Sequence, residues 1–421
     1  MIFKPDMWLS VRWQIHVLFA IQLTSMGAME MSGPFWPVHL RSLATSDSQF
    51  TLASIAVYIG PMLGIMLTST FWGRLGDLYG HKAMMMRALF GLAITQFALA
   101  YANDVPTILA LRFLQGACAG YIAPAQAYSV SIEAPARRAK LFAYLQVSTN
   151  LGSLAGAVIG GVILDHAAFF WINFSAAIMC LACLAAVWRI LPAVAPQHTK
   201  IGAKAQKPAL TPDKRTRSVL KSHQILSLLA ILGLLLLSRM VTQSPFSIYV
   251  LSIFKVENWL VGFCYGVLAL GFVFSASLWA RYFEGKNRQA VLTRLCVIIA
   301  GCIVVTVLAG LTRSIVVFAS LYFVWGVLLG ATTPVLTTLI SRATPHDRQG
   351  RILGFTQSLS QFSSIGGIAI GGWFAQVAGF SNLYFLVAVF YAVGLAVTIL
   401  ARARAGTVAI PDPRQEAIHD R

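Results

Sequence analysis

Apolar residues run in long continuous stretches along this chain, and polar residues gather between them. Twelve stretches approach the roughly 20 mostly apolar residues that a helix needs to cross a bilayer. They fall at 14–40, 48–72, 83–101, 105–130, 140–164, 168–190, 224–253, 258–280, 290–311, 314–340, 351–377 and 381–402. Continuous runs exclude the alternating strands of an outer-membrane barrel. The first run is too long for a secretory signal, lacks a small-residue cleavage site and leads straight into further spans, so it reads as a retained helix. The pattern predicts an all-α membrane protein with twelve transmembrane helices.

The longest polar segment, 191–222, falls at the midpoint and carries Lys200, Lys204, Lys207, Lys214, Arg215, Arg217 and Lys221. It reads as a basic cytoplasmic linker between an N-terminal six-helix bundle (1–190) and a C-terminal one (223–404), with a cytoplasmic tail at 405–421. Sliding the halves past each other aligns Leu111–Gly161 with Leu321–Gly371 without a gap, at twelve identities in 51 positions. The matches include Gly116/Gly326, Gly120/Gly330, Pro124/Pro334, Pro135/Pro345, Arg138/Arg348, Gly156/Gly366 and Gly161/Gly371. A second echo sets Gly33-Pro34-Phe35 against Ser244-Pro245-Phe246. Apolar helices match by chance at Leu and Ala, rarely at this set of Gly and Pro. Two pseudo-symmetric six-helix bundles are the repeat pattern of one large transporter class, whose substrate site lies between them near the midplane.

Composition sharpens this reading. Hydrophobic residues make up 57% and charged ones 11%, against roughly a quarter charged in a soluble domain. Mean hydropathy is +0.73. The net charge of +18 would by itself point to nucleic acid. Sorting it by side removes that partner. With a cytoplasmic amino terminus, inner segments hold 27 of the 32 Lys and Arg and nine of the 14 acids, a sum of +18. Outer loops hold Arg41, Lys255 and Arg313 against Asp47, Asp104, Asp165 and Glu257, a sum of −1. The excess records membrane orientation: an inner-membrane, multi-pass protein with both termini cytoplasmic, its basic loops attracted to anionic membrane lipid. All six cysteines lie in apolar runs, where they act as small hydrophobes. No metal set, nucleotide loop or nucleophile elbow is present, so neither an enzyme nor an ATP-driven pump is expected.

Three charges remain inside apolar spans: Glu30, Arg112 and Arg239. An intramembrane charge is a functional-site hypothesis by default. Glu30 is the only acid deep in a span, and leaving water favours the neutral form of a carboxyl group. It reads either as a site that alternately holds a proton or a substrate charge, or as the structural partner of Arg239. Arg112 either faces a cavity or snorkels outward from its helix end. Softer candidates for a substrate cavity are the polar Gln115, Gln126, Gln146, Asn150, Gln243, Gln357 and Gln361, and the aromatic Trp36, Tyr58, Tyr121, Phe246, Tyr265 and Trp325.

Local motifs go further. The loop after the second span reads Gly73-Arg-Leu-Gly-Asp77-Leu-Tyr-Gly80-His-Lys82. Its glycines permit a tight turn and its carboxylate sits among cations. The fourth span carries Arg112-Phe-Leu-Gln115-Gly116, and the fifth places Gly152, Gly156 and Gly160 at i, i+4 and i+8 along one stripe that permits close helix contact, with Gly161 directly after it. The loop closely resembles the signature loop of the major facilitator superfamily, Arg112 is similar to the arginine of its second motif, and the glycine stripe resembles its antiporter motif, with Ala157 in place of the usual Pro. The resemblance implies a conformational gate at Gly73, Asp77, Gly80, Lys82, Gly152, Gly156, Gly160 and Gly161, with Asp77 reaching toward Arg351 in the other half. It implies proton coupling through Glu30 and Arg112, and a monomeric secondary transporter that exports small amphipathic molecules by alternating access, on the proton motive force and without a cofactor. One acid beside two arginines is a poor trap for cationic drugs, which keeps open an anionic or zwitterionic metabolite such as a siderophore. An importer is the remaining option.

Overall fold

A computed structural model describes residues 11–133, 137–192, 223–284, 286–344 and 349–407. The expected linker and tail lie for the most part outside them. The described residues are mainly helical, with no strand among them. In order they form α1 (Val11–Glu30), α2 (Trp36–Leu43), α3 (Asp47–Tyr79), α4 (His81–Tyr101), α5 (Val105–Cys118), α6 (Ile122–Ile132), α7 (Arg138–His166) and α8 (Phe169–Ile190). The second half continues with α9 (His223–Met240), α10 (Phe246–Phe254), α11 (Asn258–Phe283), α12 (Arg288–Leu311), α13 (Ile315–Leu329), α14 (Thr332–Arg342), α15 (Gln349–Ala378) and α16 (Leu383–Thr407).

Among the described residues ten segments, rather than twelve, are long and apolar enough to cross a membrane. They cover the second to tenth and the twelfth expected spans. The first and eleventh places belong to α1 and α15, which carry Gln14, Gln22 and Glu30, and Gln357, Ser358 and Gln361. Large apolar side chains such as Leu67, Phe97, Trp171, Val297 and Val316 point outward and exposed, as they do where the solvent is hydrocarbon.

Four expected spans are broken: the first, fourth, seventh and tenth, every third one. The first is interrupted by a 3-10 turn at Gly33–Phe35, where Pro34 and then Pro37 occupy first-turn positions that need no N–H. The fourth breaks at Gly120, whose φ of +103° only glycine adopts readily. A break orphans carbonyls, and inside a bilayer they need partners. Here Thr68 Oγ1 and Trp72 Nε1 donate to the Ala117 carbonyl at 3.0 and 2.7 Å, and Arg87 Nη1 donates to those of Cys118 and Ala119 at 2.8 and 3.3 Å. In the tenth span Trp279 Nε1 donates to the Val327 carbonyl at 2.6 Å, the repeat-related bond.

The repeat is also visible in close backbone contacts, with one correction. Gly116 lies against Pro61 and Gly326 against Leu268, in the register of the alignment. In α7 and α15 the equivalent contacts are Gly156 on Gly27 with Gly367 on Leu237, and Gly160 on Met31 with Gly371 on Val241. The partners are therefore Gly156/Gly367 and Gly160/Gly371. The second half carries one extra residue between α13 and the middle of α15, which an ungapped alignment absorbs as a false match of neighbouring glycines.

Helices of each half pack mainly on one another, and two seams join the halves, α7 on α11 and α3 on α15. Both seams close at the same end. Gly161 meets the backbone of Asn258 and Trp259, and Ala157 meets Gly262. The Asp165 carboxylate accepts from the backbone N–H groups of Asn258 and Trp259 at 2.8 and 2.9 Å, an anion on the first turn of α11. Ser244 Oγ donates to the Ser54 carbonyl at 3.0 Å. At the opposite end an added Cβ on Gly73 or Gly354 would have nothing within 4 Å, and Gln146, Gln357 and Ser358 are exposed. The structure is sealed at one end and open at the other.

Candidate functional site

Where the sealed seam ends, a cavity of about 160 Å³ opens between the halves. Glu30, Asn150 and Ser153 line it from one side. Arg239, Thr242, Gln243, Phe246, Tyr265, Phe272 and Tyr322 line it from the other. On the sealed side of Ser54 and Ser244 lies a vestibule of about 860 Å³, rimmed by the exposed Arg41–Asp47 ion pair at 2.6 Å.

Glu30 is the last residue of α1, so the break that ends the helix also seats its carboxylate. Oε2 rests over Gly33, where an added Cβ would come within 2.5 Å of it. Tyr58 donates from its hydroxyl to the Gly33 carbonyl at 2.9 Å and fixes that turn. Glu30 donates and accepts no side-chain hydrogen bond among the described residues, and neither Arg112 nor Arg239 lies within the 4.0 Å of an ion pair with it. The structural pairing of Glu30 with Arg239 is therefore not formed in this state.

The two arginines differ. Arg112 is buried and turned inward, so it does not snorkel. Its Nε donates to the Val57 carbonyl at 3.0 Å, its Nη1 donates to the Gln115 side-chain oxygen, and the guanidinium lies 5.2 Å from the centre of the Trp36 ring. Both of these hydrogen bonds tie it to its own half. Arg239 is half-buried, lies 4.6 Å over the Phe272 ring, and donates no side-chain hydrogen bond among the described residues.

Of the expected cavity residues, Glu30, Asn150, Arg239, Gln243, Phe246 and Tyr265 come together, with Gln243 donating to the Tyr265 hydroxyl at 2.9 Å. Tyr58, Trp36 and Gln115 form the layer behind Glu30. Trp325 lies deeper, donating to the Tyr391 hydroxyl at 3.2 Å. Tyr121 packs in a separate cluster with Tyr128 and Cys183. Gln126, Gln146, Gln357 and Gln361 do not line the cavity. Sequence reasoning passed over Ser153, Thr242, Phe272 and Tyr322. For Tyr322 the signal was present, because the repeat puts it at the position of Arg112.

The expected gate residues divide by what they touch. Gly80 turns the chain between α3 and α4 with φ of +81°. Lys82 Nζ donates to the carbonyls of Trp188 and Leu191 at 3.0 and 2.5 Å, a cation on the end of α8 within its own half. The side chains of Asp77 and Arg351 lie outside the described ones. Gly152, Gly156 and Gly160 meet the carbonyls of Leu23, Gly27 and Met31, so backbone touches backbone along α7 and α1. Gly161 is turned to the other half. Gly156→Val should therefore destabilise the fold by at least the roughly 1–3 kcal/mol of an overpacked core, read as a lowered melting temperature in detergent. A wild-type melting curve would show that α1 can move off α7 at no cost.

The model of the Major Facilitator Superfamily matches residues 18–368. The chain belongs to that superfamily. It is similar to the Staphyloferrin B transporter of Staphylococcus aureus, at 26% identity over 389 residues and 91% of each chain. It is also similar to the multi-drug resistance efflux pump PmrA of Streptococcus pneumoniae (strain TIGR4), at 26% over 370 residues, 86% of this chain and 88% of PmrA. Among solved structures the nucleoside transporter NupG shares the fold, with a TM-score of 0.77 at 12% identity over 93% of this chain and 100% of NupG. This superfamily member is thus a multi-pass membrane protein and a secondary transporter. Its family carries small molecules, draws on ion gradients, generally needs no cofactor and is generally not enzymatic.

Proposed function

We propose that this transporter exports small amphipathic molecules in exchange for protons, by alternating access of two six-helix bundles in an inner membrane, with both termini cytoplasmic. The observation that carries this reading is Glu30. Its carboxylate faces a cavity that both halves line, with no ion-pair partner within reach and Arg112 held behind it. A carboxyl group so placed can exchange a proton for a substrate cation as access changes sides. The basic loops support a cytoplasmic position for the open end, and on this reading substrate enters there and leaves past Ser54 and Ser244 through the vestibule. PmrA, a relative named as an efflux pump, supports the direction.

The test is transport in proteoliposomes with a fluorescent amphipathic dye. Dye movement should reverse when the imposed pH gradient is reversed, and movement indifferent to the gradient would overturn proton coupling. The unspent Arg239 favours a second reading, export of an anionic or zwitterionic metabolite, and the relative named for staphyloferrin B supports it.

A further inference from the structure

We infer that the central cavity is built for a zwitterion: a substrate whose cationic end lies on Glu30 and whose carboxylate lies on Arg239. This deepens the export reading and rests on it, because it takes the same cavity as the transport site.

Both charges line one cavity of about 160 Å³, and they are not paired with each other. Opposite charges that share one low-dielectric cavity attract, so a protein that used them only for structure would bring them into contact. Each is instead held back on its own side. Glu30 is seated over Gly33 by the turn that Tyr58 fixes. Arg239 lies over Phe272, with its guanidinium carbon 4.6 Å from the ring centre. A guanidinium that spends no hydrogen bond on the protein can offer a carboxylate two parallel N–H groups. Neither side chain spends a hydrogen bond on the protein among the described residues. Arg112, by contrast, donates to the Val57 carbonyl and to the Gln115 side chain. Phe246 and Phe272 add apolar wall to the same cavity.

A zwitterion also fits exchange with protons. A lone anion on Arg239 would be repelled by ionised Glu30 and would bind best alongside a proton, which is co-transport. A substrate ammonium on Glu30 competes with the proton, as exchange demands, while the carboxylate on Arg239 adds selectivity. The aromatic wall then favours an amino-acid-like molecule with an aromatic body.

The experiment measures binding by calorimetry to the full chain in nanodiscs, using 2-naphthylalanine, its methyl ester and its N-acetyl derivative. These carry both charges, the cation only and the anion only. The zwitterion should bind at least tenfold more tightly than either derivative. Arg239→Gln should remove the advantage over the ester and leave ester binding within about twofold. Arg239→Lys, which keeps charge but loses the paired edge, should fall between. Equal binding of zwitterion and ester to the native protein overturns the inference, as does an Arg239→Gln variant that weakens all three alike, since that marks a structural arginine. No binding of any of the three overturns it too. If the binding pattern holds but flux ignores the pH gradient, proton exchange fails and the zwitterion site stands.

Discussion

Replacing Glu30 with Gln is expected to abolish uphill transport while leaving a folded protein. Glutamine keeps the shape and hydrogen-bonding capacity of a protonated carboxyl group and loses the ability to release the proton. The folded state should survive, because Glu30 makes no ion pair and no side-chain hydrogen bond among the described residues, so its removal leaves no partner stranded. The effect on coupling is large. A gradient of one pH unit supplies about 1.4 kcal/mol per proton, enough for a roughly tenfold accumulation of substrate at one proton per cycle. Accumulation by the variant should fall to the equilibrium ratio of one, and downhill exchange should persist. Proteoliposomes with imposed pH gradients measure both, and full gradient-dependent flux in Glu30→Gln would remove Glu30 from the mechanism.

Gly161→Val should act on the conformational equilibrium rather than on the fold. A Cβ on Gly161 would sit 2.5 Å from the Asn258 carbonyl oxygen and from the Trp259 Cα, both in the other half. Backbone there cannot step aside as a flexible side chain can. Gly156 makes its contacts inside its own half, so a side chain there strains the bundle itself. At Gly161 the strain is released when the halves part at the sealed end. Overpacking costs of about 1–3 kcal/mol correspond to roughly 5–150-fold in the equilibrium between the two states. The variant should therefore melt near the wild type yet populate the state open at this end, with transport reduced because the sealed state is needed in each cycle. Distances between spin labels on α7 and α11 near that end report the shift. An unchanged distance distribution would mean that the seam yields locally, and the close approach would then have no role in gating.

Hydropathy made the membrane spans legible, because hydrocarbon demands the same chemistry of every one. It could not show the breaks. A window averages over Gly33–Phe35 and Gly120, and a discontinuity of a few residues leaves the mean apolar. The two long helices that fall short of a membrane span, α1 and α15, contain the polar residues whose placement was hardest to read. In α1, Gln22 clamps α7 through the Leu145 carbonyl and Thr149, whereas Glu30 faces the cavity. Residue type alone does not separate those roles, since both satisfy a polar group away from lipid. Gly161 directly follows Gly160, the last residue of the stripe formed with Gly152 and Gly156. A step of one residue rotates the side-chain position by about 100° on a helix, and that step carries Gly161 from its own bundle to the other. Asp165 was counted only as an outer-loop charge, because two of the three groups it binds are backbone amides that no sequence pattern displays, and the third, the Asn258 side chain, lies 93 residues away.

Those amides have a consequence for how the protein can diverge. Two of the three N–H groups that hold the Asp165 carboxylate on the first turn of α11 are backbone groups that almost every amino acid at 258 and 259 would also present, and the third is the Asn258 side-chain amide at 2.8 Å. Only proline lacks the backbone donor. The rim of α11 can therefore drift in side-chain character, and with it what the exit admits, at the loss of one donor at 258, while the latch that closes that exit keeps its two backbone donors. A mutation that disables the latch has one obvious address, the carboxylate itself. The selectivity of the doorway and the mechanics of shutting it are thus heritable separately.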